Sequence, residues 1–184
     1  MRIQNNPVAD SPNNDAFEAL VETYYQTQGY ITSAGKWFWV WADGKQQRGH
    51  RDIDVLAIKG DKTVIVSVTS NLDDKVNIPR GGSVNLDKAS GYFSLVQAYL
   101  NNVAEYQWIV KEGREINHVI AYSHAYQRTL EPIKAALDES QIELISSDEM
   151  LKSLKSLKSH TLQPNLKIQN PLLRTIQLLK TEIP

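Results

Sequence analysis

Arg51-Asp52-Ile53-Asp54-Val55-Leu56-Ala57-Ile58-Lys59, then Gly60-Asp61, then Lys62-Thr63-Val64-Ile65-Val66-Ser67-Val68-Thr69-Ser70 is the stretch that decides the fold. Both arms have the period-two character of strands, and Gly60-Asp61 supplies the turn, because glycine accepts positive φ and aspartate caps its own backbone. Strict alternation puts Ile53, Val55 and Ala57 on one face and Asp52, Asp54, Leu56 and Ile58 on the other. In the return arm Ile65, Ser67 and Thr69 share one face, and Val64, Val66 and Val68 share the other. Both faces are largely apolar, so the hairpin is expected at the centre of a sheet covered on both sides. Two carboxylates in such a hairpin call for an explanation.

Composition narrows the class. A chain of 184 residues, 41% hydrophobic and 22% charged, suits one soluble domain with a substantial core. A net charge of -1 offers no global basic field for nucleic acid, though a local patch is compatible with it. There are no cysteines, which excludes disulfides and Cys-ligated zinc and fits a cytoplasmic location. No secretory h-region and no membrane-length apolar run is present.

Upstream, residues 1–10 are polar and read as a flexible arm. Ser11-Pro12 signals a helix start, followed by Phe17, Leu20, Val21 and Tyr24 on one face and a stop at Gly29. Tyr30 to Trp41 reads as a strand, with Trp37, Trp39 and Trp41 opposite Phe38 and Val40. These aromatics are read as sheet core rather than as a base-stacking platform. A polar loop from Asp43 to His50 follows, carrying Lys45 and Arg48.

Downstream, residues 71–86 read as a mobile loop with Asp73, Asp74, Lys75 and Arg80, and without the ending of a P-loop. Asp87 is expected to cap a helix whose stripe runs Tyr92, Val96, Tyr99, Val103, Tyr106, Val110 to a stop at Gly113. Then come a strand over 116–122, a helix over 126–139 with Pro132 in its first turn, a strand over 141–145, and a helix through Leu151, Leu154 and Leu157. Lys152, Lys155 and Lys158 read as a solvated face. The tail, 161–184, is amphipathic and either packs back or joins another subunit as a homodimer.

This order predicts an α/β layered fold over residues 11–160. Over roughly residues 15–157 the chain resembles the PD-(D/E)xK nuclease superfamily, of the Holliday-junction-resolvase and restriction-endonuclease-like kind. The matching features are Glu18 or Glu22 on the first helix, Ile53-Asp54-Val55-Leu56-Ala57, the hydrophobic return strand, and Ile142 to Leu151. The resemblance implies a three-layer α/β/α fold on a mixed sheet of about five strands. It also implies action on DNA or RNA, and Mg²⁺ if the site is active. Asp54 and Glu22 would hold the metal, and Glu18 joins the catalytic candidates.

The superfamily places a Glu-x-Lys at the end of the next strand, and here that place is Ser67-Val68-Thr69, 13 residues after Asp54. A hydroxyl is a weak neutral ligand, and threonine supplies no cation. Two readings follow. Either the site is degenerate and the fold binds without cutting, or the missing groups have migrated, with Asp73 or Asp74 as acid and Lys75 or Lys88 as cation. Arg48, His50, Arg51 and Arg80 are the candidate nucleic-acid contacts, His50 also as a general base. His118, His124 and His160 show no metal-ligand spacing.

Overall fold

A computed structural model of the chain describes residues 2–10, 15–41, 47–78, 83–111 and 113–156, with the side chains of 2–10, 41, 47 and 48 left out. The tail expected at 161–184, with its dimer contact, lies outside these residues, as do the Ser11-Pro12 signal and Leu157.

The order is β1 (Arg2–Asp10), α1 (Ala16–Thr27), β2 (Ile31–Trp41), β3 (Gln47–Lys59), β4 (Lys62–Asn71), α2 (Leu72–Lys75), α3 (Asp87–Asn102), β5 (Glu115–His124), α4 (Gln127–Glu139), β6 (Ile142–Ser146) and α5 (Ser147–Ser156). The strands form one six-stranded sheet in chain order. β1 to β4 pair antiparallel, while β5 and β6 join in parallel. A parallel pair needs a long crossover, and α2–α3 and α4 provide the two crossovers here.

The central hairpin is covered on both sides. Phe38, Leu56, Ile65 and Ile120 pack against α3 and α4 through Phe93, Val96, Tyr99, Ile133 and Leu137. Val55, Ala57, Val64, Val66 and Val119 pack against α1 and α5 through Leu20, Val21, Met150 and Leu154. The result is a three-layer α/β fold. No described helix is long and apolar enough to cross a membrane.

Several expectations are corrected. Residues 2–10, read as an arm, form an edge strand on β2, because polar side chains suffice where one edge faces outward. α1 starts at Ala16, where the Asp15 carboxylate accepts from the Phe17 and Glu18 amides. Part of the expected loop before His50 belongs to β3. The loop expected after Ser70 contains α2 and an Asn77–Asn85 bridge. Asp87 opens α3 without a capping hydrogen bond; its own amide donates to Asn85. α3 ends at Asn102, and a 3-10 turn at Gln107–Ile109 carries the chain past Tyr106. Pro132 lies in the second turn of α4.

Strict alternation also fails, at one level of the sheet. Ile53 and Leu56, three apart, share the α3-side cluster, whereas Val55 lies on the other side. β2 shows the same slip. Ser33 and Lys36 both line the α3-side groove, and between them Gly35 has φ +64°. The register of the flanking pairs puts Gly35 opposite Asp54. A left-handed residue, which glycine tolerates, turns the pleat over by one position.

Candidate functional site

The turn-over at Asp54 coincides with the end of the β3–β4 ladder. The last paired residues are Val55 and Val66. Beyond them β3 continues against β2, and β4 continues against β5, so the two central strands part. Extending the register would set Val68 opposite Ile53. Instead the Val68 amide donates to Asp54 Oδ2 at 2.6 Å, and Ser67 Oγ donates to the same oxygen at 3.3 Å. The Asp54 amide donates to the Tyr92 hydroxyl at 2.9 Å, and that hydroxyl donates to the Val66 carbonyl at 3.3 Å. One carboxylate and one phenol thus satisfy the backbone where the strands separate.

Asp54 is the buried acid of this fork, at 7% exposure. Lys75, at the end of α2, sets Nζ 3.8 Å from Oδ2 and 5.3 Å from the centre of the Tyr92 ring. Burial pushes the Asp54 carboxyl up to about 6, although Lys75 and the Val68 amide pull it down. Glu18 on α1 is pushed to about 7, first by burial and then by Asp54, with Asp15, Asp52 and Glu22 adding to it. Among the described residues, no hydrogen bond falls on Asp54 Oδ1. Nor does any group of three His, Cys, Asp or Glu there stand close enough to hold a metal ion.

The other candidates divide sharply. Ser67 is buried and touches Asp54. Thr69 does not, since its hydroxyl donates to the Asn71 carbonyl at 2.8 Å and closes its own strand end. Lys88 donates to the Asp74 carbonyl at 3.1 Å, so Lys75 is the lysine paired with Asp54. Asp73 is engaged at the start of α4, accepting from Thr129 Oγ1 at 2.9 Å and the Tyr126 amide at 3.4 Å. Glu22 enters the site only through its charge on Glu18.

His50 lies flat on Trp37, 4.4 Å between centroids, and edge-on to Trp39 at 5.9 Å. Phe38 and Val40 are the core members of this segment, while Trp37 and Trp39 stay half-buried on the opposite face, which corrects the reading of the tryptophans as core. Arg51 is exposed and donates to the His50 carbonyl. Arg80 lies outside the described residues, and Arg48 is described only as backbone in β3.

Tyr92 was missed as a site residue. The sequence signal was present only as a core stripe on α3, in which one member carries a hydroxyl.

No family model matches the chain. No curated protein matches it either. Among solved structures, a protein of unknown function, AF1548, is similar at a TM-score of 0.44 and 14% identity, over 89% of this chain and 76% of that one.

Proposed function

We propose that the chain is a cytoplasmic nuclease-like protein of restriction-endonuclease-like fold, acting on nucleic acid through the fork at Asp54. The observation that carries this reading is the Lys75 ammonium 3.8 Å from the Asp54 carboxylate. It supports the migrated version of the site, in which α2 delivers the cation that Thr69 cannot supply. Mg²⁺ is commonly held by one or two carboxylates together with waters and substrate phosphates. In this reading Asp54 and Glu18 are the hard-oxygen donors that would hold it, and the Asp54 charge already weighs on the Glu18 carboxyl. When bound, the ion would polarise the phosphodiester and lower the pKa of its water. Asp54 is held in orientation by Ser67 and Val68, and Lys75 places positive charge beside the phosphate's expected seat.

The test uses purified protein with single- and double-stranded DNA and RNA, plus Mg²⁺ or Mn²⁺, beside Asp54→Asn and Lys75→Met. Cleavage by the wild type that falls roughly 100-fold or more in each variant supports the reading, since a lost transition-state electrostatic contact is typically that large. A second reading has its own support. Ser67 and Val68 already occupy Oδ2, and neither residue 67 nor 69 is acidic or basic. A protein that binds in a salt-dependent way without cutting would favour this non-catalytic module. Neither binding nor cleavage would remove both.

A further inference from the structure

The last turn of α1, the start of α5 and the sheet face between them enclose a cleft of about 300 Å³. Three tyrosines form one wall. Tyr25 is met edge-on by Tyr24 and by Tyr30, with ring centres 5.3 Å apart in both pairs. Glu143 on β6 and Glu149 on α5 line the same cleft, and among the described residues its wall includes no lysine, arginine or histidine. Glu149 is fixed there. Its Oε2 accepts from the Ser146 amide at 2.8 Å and from the Ser146 hydroxyl at 2.7 Å, which holds the carboxyl below its ordinary range and ionised. Tyr25 is only 7% exposed, yet among the described residues its hydroxyl has no hydrogen-bond partner. A buried hydroxyl without a partner is uncommon in a folded protein and points to something that completes it. Burial first, then Tyr24, Glu143 and Tyr30, raise the Tyr25 phenol above its ordinary range, so it keeps its proton and its oxygen lies in the field of the Glu143 carboxylate.

We propose that this cleft binds a small primary alkylammonium ion, its N–H groups shared between the Tyr25 hydroxyl and the Glu143 carboxylate and its methylenes laid against the tyrosine rings. Two carboxylates repel an anion, and the negative faces of the rings attract a cation. An ammonium donates charge-assisted hydrogen bonds to a carboxylate, and a phenol oxygen accepts a further one. A neutral alcohol would satisfy Tyr25 but leave both carboxylates without a counter-charge. The chain shows the same preference at the rim, where Lys59 sets its Nζ 5.5 Å from the centre of the Tyr30 ring and donates to the Gln28 carbonyl at 2.7 Å. The volume lies at the low end for small-ligand sites, which suits an amine of a few heavy atoms. The cleft stands apart from the fork, because Glu18 lies in the first turn of α1 and Tyr24 and Tyr25 lie in its last. It therefore does not depend on any action on nucleic acid.

Titration calorimetry of the full chain with butylammonium chloride, beside 1-butanol as the neutral analogue, reads this directly. Butylammonium is expected to bind saturably, and butanol at least about tenfold more weakly. Glu143→Gln and Tyr25→Phe, each checked for its fold by circular dichroism, are expected to weaken butylammonium by roughly tenfold and roughly fivefold. Asp54→Asn, at the fork, is expected to bind it as the wild type does. No saturable binding of the amine at millimolar concentration would leave Tyr25 to water alone and overturn the proposal. Equal binding of the alcohol and the amine, wild-type affinity in either cleft variant, or loss of binding in Asp54→Asn also overturns it.

Discussion

The two ends of the β3–β4 hairpin solve opposite problems. From the Gly60-Asp61 turn to Val55 and Val66, the strands are fully paired and, beyond Lys59, Lys62 and Thr63 near the turn, their side chains are apolar on both faces. Past Val55 and Val66 the strands part, and Asp54, Ser67, Tyr92 and Lys75 take over. Burial of apolar area stabilises the closed end. At the open end, backbone groups that lose a ladder partner need another one. A polar group can sit at the middle of this sheet because the ladder stops there.

The comparison can be broken from either end. The largest effect is expected at the closed end: Ile65→Ala empties a fully buried site and should cost about 2–5 kcal/mol in denaturant unfolding. At the fork, Asp54→Ala strands the Val68 amide and should cost about 1–3 kcal/mol. Tyr92→Phe tests the same idea from α3. It removes the acceptor of the Asp54 amide, and the expected loss approaches that of Asp54→Ala while the core volume stays filled. A near-neutral Tyr92→Phe would mean that the phenol does not hold the fork. Gly35→Ala forces a side chain into left-handed backbone and should cost about 1–2 kcal/mol.

The smallest effect is a slope with pH. Glu18 at about 7 and Asp54 at about 6 both lie above the ordinary carboxylate value. Between those ordinary values and the raised ones the folded chain binds more protons than the unfolded chain, so stability falls as pH rises through that window. Denaturation midpoints across the window should show the decline, and Glu18→Gln should flatten it. A midpoint that rises with pH there would contradict the burial of these acids.

Much of the molecule was legible beforehand. The hairpin, the two-sided burial, the α/β order and the stop at Gly29 all follow from local periodicity and turn chemistry. Asp54 stood out because it is a carboxylate among apolar neighbours. The stripe on α3 overruns the helix, because Val103, Tyr106 and Val110 keep helical spacing while the chain has already turned. Period two predicts strict alternation along the strands, and a single left-handed glycine cancels that over the Gly35–Asp54 level. The sequence leaves Lys75 and Lys88 both open, since one follows β4 closely and the other opens the helix expected to pack beside it.

The amino-acid order by itself determined which segments extend or coil and which faces seek burial, because those depend on neighbours a few positions away. Only the packed fold decided that Lys75 meets Asp54 and that Tyr92 sits between β3 and β4. Such contacts join residues tens of positions apart. They are set by how whole elements dock, and a local pattern does not carry that information.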